Sequence, residues 1–129
     1  MTDRQFCIAV AGASGRMGHM LIEAIRLSSD CTLVGALDVA ASPAIGEDAT
    51  GFLNQASGVT VHADIHQGLK TAKVLIDFTR PEGTMAHLTV CRELGVNMVI
   101  GTTGFTDAQK ADIADAAKHI AIEIGRAHV

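Results

Sequence analysis

The residues best placed to do chemistry are glycines. Val10-Ala-Gly-Ala-Ser-Gly-Arg-Met-Gly18 spaces them as Gly-x-x-Gly-x-x-Gly, after a short apolar run and before a stretch of helical spacing. Gly12 permits a tight turn out of a strand, Gly15 lets backbone approach a bulky anion, and Gly18 lets a helix pack close to a sheet. The N–H groups at the start of such a helix, with the positive end of its dipole, suit phosphate. Gly12, Ala13, Ser14, Gly15, Arg16 and Met17 thus form a variant of the dinucleotide-binding turn. Asp38 ends the next apolar run, about 20 residues beyond the glycines, where a ribose-binding carboxylate is expected. Such a carboxylate accepts both ribose hydroxyls of NAD and repels the 2′-phosphate of NADP. Val39 brings no compensating charge, so the cofactor reading is NAD(P)H, leaning to NADH. Two readings stand for Arg16: contact with a 2′-phosphate, or a solvated side chain. The blander alternatives are a purely structural turn and an ordinary strand-end acid.

Two more loops fall at strand carboxyl ends, where open α/β sheets bind ligands. In Asp77-Phe78-Thr79-Arg80-Pro81, Arg80 can hold an anion bidentately or remain a surface residue. In Gly101-Thr102-Thr103-Gly104, hydroxyls and backbone N–H groups can line a nicotinamide pocket or form a plain strand-to-helix turn. The other candidates read as structural. His19, His62, His66 and His87 share no face and no metal-ligand spacing, so no metal is expected. Cys91 reads as packed rather than reactive, Ser14 as embedded in the turn, and Asp112 and Asp115 as a solvated helix face. No acid–base pair of catalytic type is apparent.

Strands alternating with helices must position these groups. Strands are expected at Phe6–Ala11, Cys31–Leu37, Val59–His62, Val74–Phe78 and Asn97–Ile100, with one more apolar run from His119 to Ile122. A helix is expected over Arg16–Leu27, burying Met17, Met20, Leu21, Ala24 and Ile25. Others follow over Asp64–Ala72, capped by Asp64, from Pro81 to Leu94, stopped by Gly95, and from Thr106 to Lys118. Thr79 and Glu82, like Thr106 and Gln109, have capping-box spacing. Ala40–Ser57 reads as a long loop with one helical turn. The alternation implies a doubly wound, mostly parallel sheet of Rossmann type in a single domain.

Composition narrows the function. The chain has 129 residues, 48% hydrophobic and 19% charged, with net charge −4. Such a balance is globular and carries no basic footprint for nucleic acid or anionic membrane. With four Phe and no Trp or Tyr, stacking of nucleic-acid bases is disfavoured. No run reaches the roughly 18 apolar residues of a membrane span. Met1 to Gln5 is too short and polar to begin a signal peptide. Three scattered cysteines without a C-x-x-C pair fit thiols in a reducing cytoplasm.

Three motifs together resemble a known family. Gly12-Ala-Ser-Gly-Arg-Met-Gly18, Asp77-Phe-Thr-Arg-Pro-Glu-Gly83 and Val99-Ile-Gly-Thr-Thr-Gly-Phe105 are similar to the dihydrodipicolinate reductases of bacterial lysine and diaminopimelate synthesis. They occur in that family's order and spacing, and the likeness runs from about Cys7 to Ile122. The resemblance implies a cytoplasmic nicotinamide-dependent reductase, usually a homotetramer. It maps the phosphate turn onto Gly12–Met17, the ribose acid onto Asp38 and the nicotinamide-side loop onto Gly101, Thr102 and Thr103. Many members follow the acid with Arg, and Val39 departs from that.

Members also continue into a substrate domain carrying a His-His pair, a Lys and a Gly-Thr segment. None of these matches here, so no catalytic residue carries over, and the chain reads as an inactive half that would meet the dicarboxylate substrate only with the missing domain. Residues 1–122 are expected to form the dinucleotide-binding domain. Glu123-Ile-Gly-Arg-Ala-His-Val129 does not continue the family pattern. One codon choice for it matches a common sequencing-library adapter, so a non-native tail is expected over 123–129. The alternatives from other classes are a free-standing NAD-binding regulatory module and a different Rossmann dehydrogenase.

Overall fold

The structure, a computed structural model, describes residues 6–125. The N-terminal segment 1–5 and tail residues 126–129 lie outside the described residues. β1 (Phe6–Ala11), β2 (Cys31–Leu37), β3 (Val61–His62), β4 (Val74–Asp77), β5 (Asn97–Ile100) and β6 (Ile122–Ile124) form one sheet. Its order is β3-β2-β1-β4-β5-β6, and every neighbouring pair is parallel. The strand order reverses between β1 and β4, so a crevice opens at their carboxyl ends.

The helices are α1 (Arg16–Leu27), α2 (Ile65–Leu69), α3 (Pro81–Leu94) and α4 (Asp107–Ala116), with a short 3₁₀ turn at Gly51–Leu53. Both sheet faces are covered, which is why β1 reads as continuously apolar rather than alternating. Ile8 and Val10 pack with Ile22 and Ile25 of α1 and with Ala49 of the long loop. Ala9 and Ala11 pack with Leu69, Leu88 and Ile113 from α2, α3 and α4.

α1 forms over the expected span but is rotated from the expected face. Gly18, Ile22 and Ile25 are buried, whereas Met17 and Met20 are 43% and 60% exposed and Ala24 is exposed. The cause is Gly18: a Cβ there would lie 2.1 Å from the Gly12 carbonyl oxygen. The glycine side of the helix therefore sits closest to the sheet, and an apolar count overlooks it because glycine has no side chain to count.

Several boundaries shift. β3 begins at Val61, and β4 ends at Asp77. Asp64 does cap α2, accepting from Gln67 N–H, but the helix stops at Leu69. Thr79 does not cap α3; Arg80 is the N-cap without a side-chain bond, and Gly95 closes the helix in the left-handed region. The Thr106–Gln109 capping box forms in both directions, although α4 ends at Ala116. β6 starts later than the expected apolar run and includes Glu123 and Ile124, paired with Val99 and Ile100.

The Ala40–Ser57 segment is ordered by one carboxylate. Asp48 accepts from Thr50 N–H and hydroxyl, from Ser57 N–H and hydroxyl, and from Gly58 N–H. These donors, the Ser57 hydroxyl first, hold it well below the usual carboxylate range.

Candidate dinucleotide site

The turn after β1 is built from backbone. Gly12 has φ +82°, a left-handed conformation that favours glycine. Its N–H and that of Ala13 both donate to Leu37 O, at 2.9 and 3.0 Å, which ties the turn to the end of β2. Gly15 is the N-cap of α1 and offers no side-chain cap, so the first-turn N–H groups are left for an anion. A Cβ on Gly15 would meet only Gly12 O, at 3.4 Å. The approach to those N–H groups is open, which is the fit that a pyrophosphate requires.

Asp38 stands over this turn. Its Oδ2 accepts Ser14 N–H at 2.9 Å and the Ser14 hydroxyl, and its Oδ1 accepts Val39 N–H at 2.8 Å. A carboxylate has about four acceptor positions, so Oδ1 keeps capacity for a ligand hydroxyl. Ser14 is indeed embedded in the turn: it positions the acid.

A cavity of about 620 Å³ opens beside these groups. Gly12, Ser14, Gly15, Asp38 and Val39 line it together with Phe78, Thr79 and Arg80, and Gly12 abuts the Phe78–Thr79 loop. Ala13 lies behind the turn, 2% exposed. Arg16 and Met17 are the first residues of α1 and expose their side chains. Phe78 rests on Gly101, where any Cβ would fall 1.9 Å from the ring.

The second threonine loop is placed differently. Thr102, 5% exposed, accepts from Thr79 N–H and from the Thr84 hydroxyl, both at 2.9 Å. It braces the β4 and β5 loops against each other. Thr102 and Thr103 line a separate cavity of about 330 Å³ with Phe105, Lys110 and Ile124. The structure therefore does not bring Gly101, Thr102 and Thr103 onto the cavity of the glycine turn.

One pair was missed by sequence reasoning. Asp77 is fully buried, and its Oδ1 accepts the Thr79 hydroxyl at 2.6 Å. Its Oδ2 lies 2.7 Å from His87 Nδ1, and His87 reaches the main cavity. The nearest sequence signal was Gly83, one turn before His87 on the same helix face, where a Cβ would crowd the Thr79 hydroxyl at 3.1 Å, but that spacing alone does not point to the pair. Cys91, deeper on α3, is fully buried; burial and the Asp77 charge push its thiol up to about 12. It packs, as expected. Asp115 is exposed and pairs with Arg92 at 2.9 Å.

Sheet order, glycine turn and neighbouring acid define a Rossmann-type domain of the dinucleotide-binding class. The family model for "Dihydrodipicolinate reductase, N-terminus" matches residues 6–126, and the chain belongs to this family. The 4-hydroxy-tetrahydrodipicolinate reductase of Herminiimonas arsenicoxydans is 62% identical over 118 residues, which are 92% of this chain and 44% of the relative. Among solved structures, dipicolinate-bound dihydrodipicolinate reductase from Paenisporosarcina sp. TG-14 superposes with a TM-score of 0.68 at 26% identity, covering 88% of this chain and 43% of that one. The WlbA dehydrogenase from Chromobacterium violaceum, in complex with NADH and UDP-GlcNAcA, shares the fold with a TM-score of 0.73 at 20% identity, covering 97% of this chain and 36% of that one. The chain thus spans less than half the length of the curated relatives it matches.

Proposed function

We propose that this domain is the cofactor-holding part of a 4-hydroxy-tetrahydrodipicolinate reductase, with NADH favoured over NADPH. The observation that carries the reading is Asp38, fixed over the glycine turn by Ser14 and opening on the same cavity, in a chain of this family. Gly12 to Met17 would hold the pyrophosphate and Asp38 the adenosine ribose. Phe78, Thr79 and Arg80 would form the facing wall, and Gly101, Thr102 and Thr103 the nicotinamide side. The bound cofactor supplies a hydride; the protein's share is orientation.

The favoured cofactor follows from charge. Asp38 opposes a 2′-phosphate, and Val39 beside it is uncharged. In the longer reductase the hydride would go to a cyclic imine dicarboxylate, in a cytoplasmic homotetramer. Titration of the folded chain with NADH and NADPH, followed by cofactor fluorescence and calorimetry, tests this. NADH should bind more tightly. Binding of neither defeats the cofactor assignment, and much tighter NADPH binding overturns the Asp38–Val39 argument.

A further inference from the structure

Asp77 and His87 form a directed pair at the wall of the main cavity. A carboxylate only accepts, and both oxygens of Asp77 face donors: the Thr79 hydroxyl at 2.6 Å and His87 at 2.7 Å. The proton of a neutral His87 ring therefore sits on Nδ1. Nε2 is then an acceptor, and no described residue bonds it. No buried side-chain N or O among the described residues lacks a partner, so Nε2 is open to the cavity that His87 lines. The same cavity is also lined by Val39, Ala40, Ala63 and Ile65, apolar side chains that can accompany a flat heterocycle. The charged residues on the same lining are half-buried Asp38 and exposed Arg80 and Glu82.

We propose that His87 reads the 6-substituent of the purine base, accepting a hydrogen bond from a 6-amino group and disfavouring a 6-keto group, with Asp77 as the positioning residue that sets its tautomer. This rests on the dinucleotide reading above. An acceptor facing a keto oxygen leaves two lone pairs opposed and a polar group unpaired, and discrimination of about tenfold is expected from one such contact.

The test compares NADH with reduced nicotinamide hypoxanthine dinucleotide, titrated calorimetrically into the 129-residue chain at pH 8.5. The unmodified chain should favour NADH by about tenfold. His87→Asn keeps an N–H for Asp77 but removes Nε2, so its two affinities should become equal. Asp77→Asn turns an amide N–H₂ toward Nδ1 while its oxygen still accepts from Thr79. The ring proton then moves to Nε2, and the preference should invert toward the hypoxanthine analogue. His87→Gln, whose amide can turn either its oxygen or its N–H₂ to the base and so should also lose the preference, provides a second reading if His87→Asn does not fold, with folding followed by circular dichroism. The same NADH-to-analogue ratio in the unmodified chain and in either His87 variant overturns the proposal while leaving the dinucleotide reading intact. Binding of neither ligand by the unmodified chain defeats both.

Discussion

Gly18→Ala is the sharpest perturbation of the glycine turn. The added Cβ would lie 2.1 Å from Gly12 O, 2.9 Å from Gly12 C and 3.0 Å from Ala13 C. All three atoms are backbone, and the turn has little room to yield. Gly12 is held at φ +82°, its N–H is bound to Leu37 O, and its carbonyl accepts Gly15 N–H at 3.0 Å. Alanine returns about 1 kcal/mol of helix propensity. Overpacking against backbone costs about 3 kcal/mol, the upper end of its usual range. The net expectation is a loss of about 2 kcal/mol, or about 1 M in the urea midpoint at the slope of a small domain. Moving α1 also displaces its first-turn N–H groups, so NADH affinity should fall at least tenfold.

Gly15→Ala is the control. Its Cβ meets nothing nearer than 3.4 Å but enters the approach to those N–H groups, so stability should be kept and binding lost. Urea denaturation by circular dichroism and NADH titration of both variants give the answer. A native midpoint for Gly18→Ala would refute the close-packing account of α1. Unchanged binding by Gly15→Ala would refute its place against the phosphates.

Asp48→Asn should cost about 2 kcal/mol at pH 7, since it removes a charged acceptor from several hydrogen bonds. Because Asp48 is held below its unfolded value, its contribution is present above about pH 4 and lost as pH falls through the folded value. The stability gap between the two proteins should therefore narrow on acidification, as measured by urea midpoints from pH 7 to 3. Cys91, buried and with its thiol pushed up to about 12, should resist a thiol reagent in the folded chain, whereas half-buried Cys7 and Cys31 react first. Unfolding in urea should release the third thiol, and mass spectrometry of the labelled peptides would assign the order.

The elements were legible where sequence signals are local. β1, α1, β2 and β5 occupy their expected spans because apolar runs delimit them, with glycines after β1, before α1 and on both sides of β5. The capping boxes separate the two kinds of evidence. At Thr106 the spacing alone suffices. At Thr79 it misleads, because the hydroxyl is claimed by the Asp77 carboxylate, and nothing in the local sequence records that competition. The α1 face was misjudged for a related reason: the close approach that buries Gly18 is made to Gly12, beyond the helix itself.

The glycine turn and the acid beside it were determined by sequence, since glycine conformation, strand end and helix start are contiguous and Asp38 follows at a fixed interval. Parallel pairing and the strand order then decided which loops share a cavity. Asp38 and Arg80 line one cavity, while Thr102 turns inward to brace Thr79 and Thr84. The Asp77–His87 pair exists only because α3 packs back against the sheet beside β5, bringing a helix residue to the end of β4. Local spacing constrains φ, ψ and hydrogen bonds within a turn; the partner of a buried carboxylate is set by packing, which no single segment encodes.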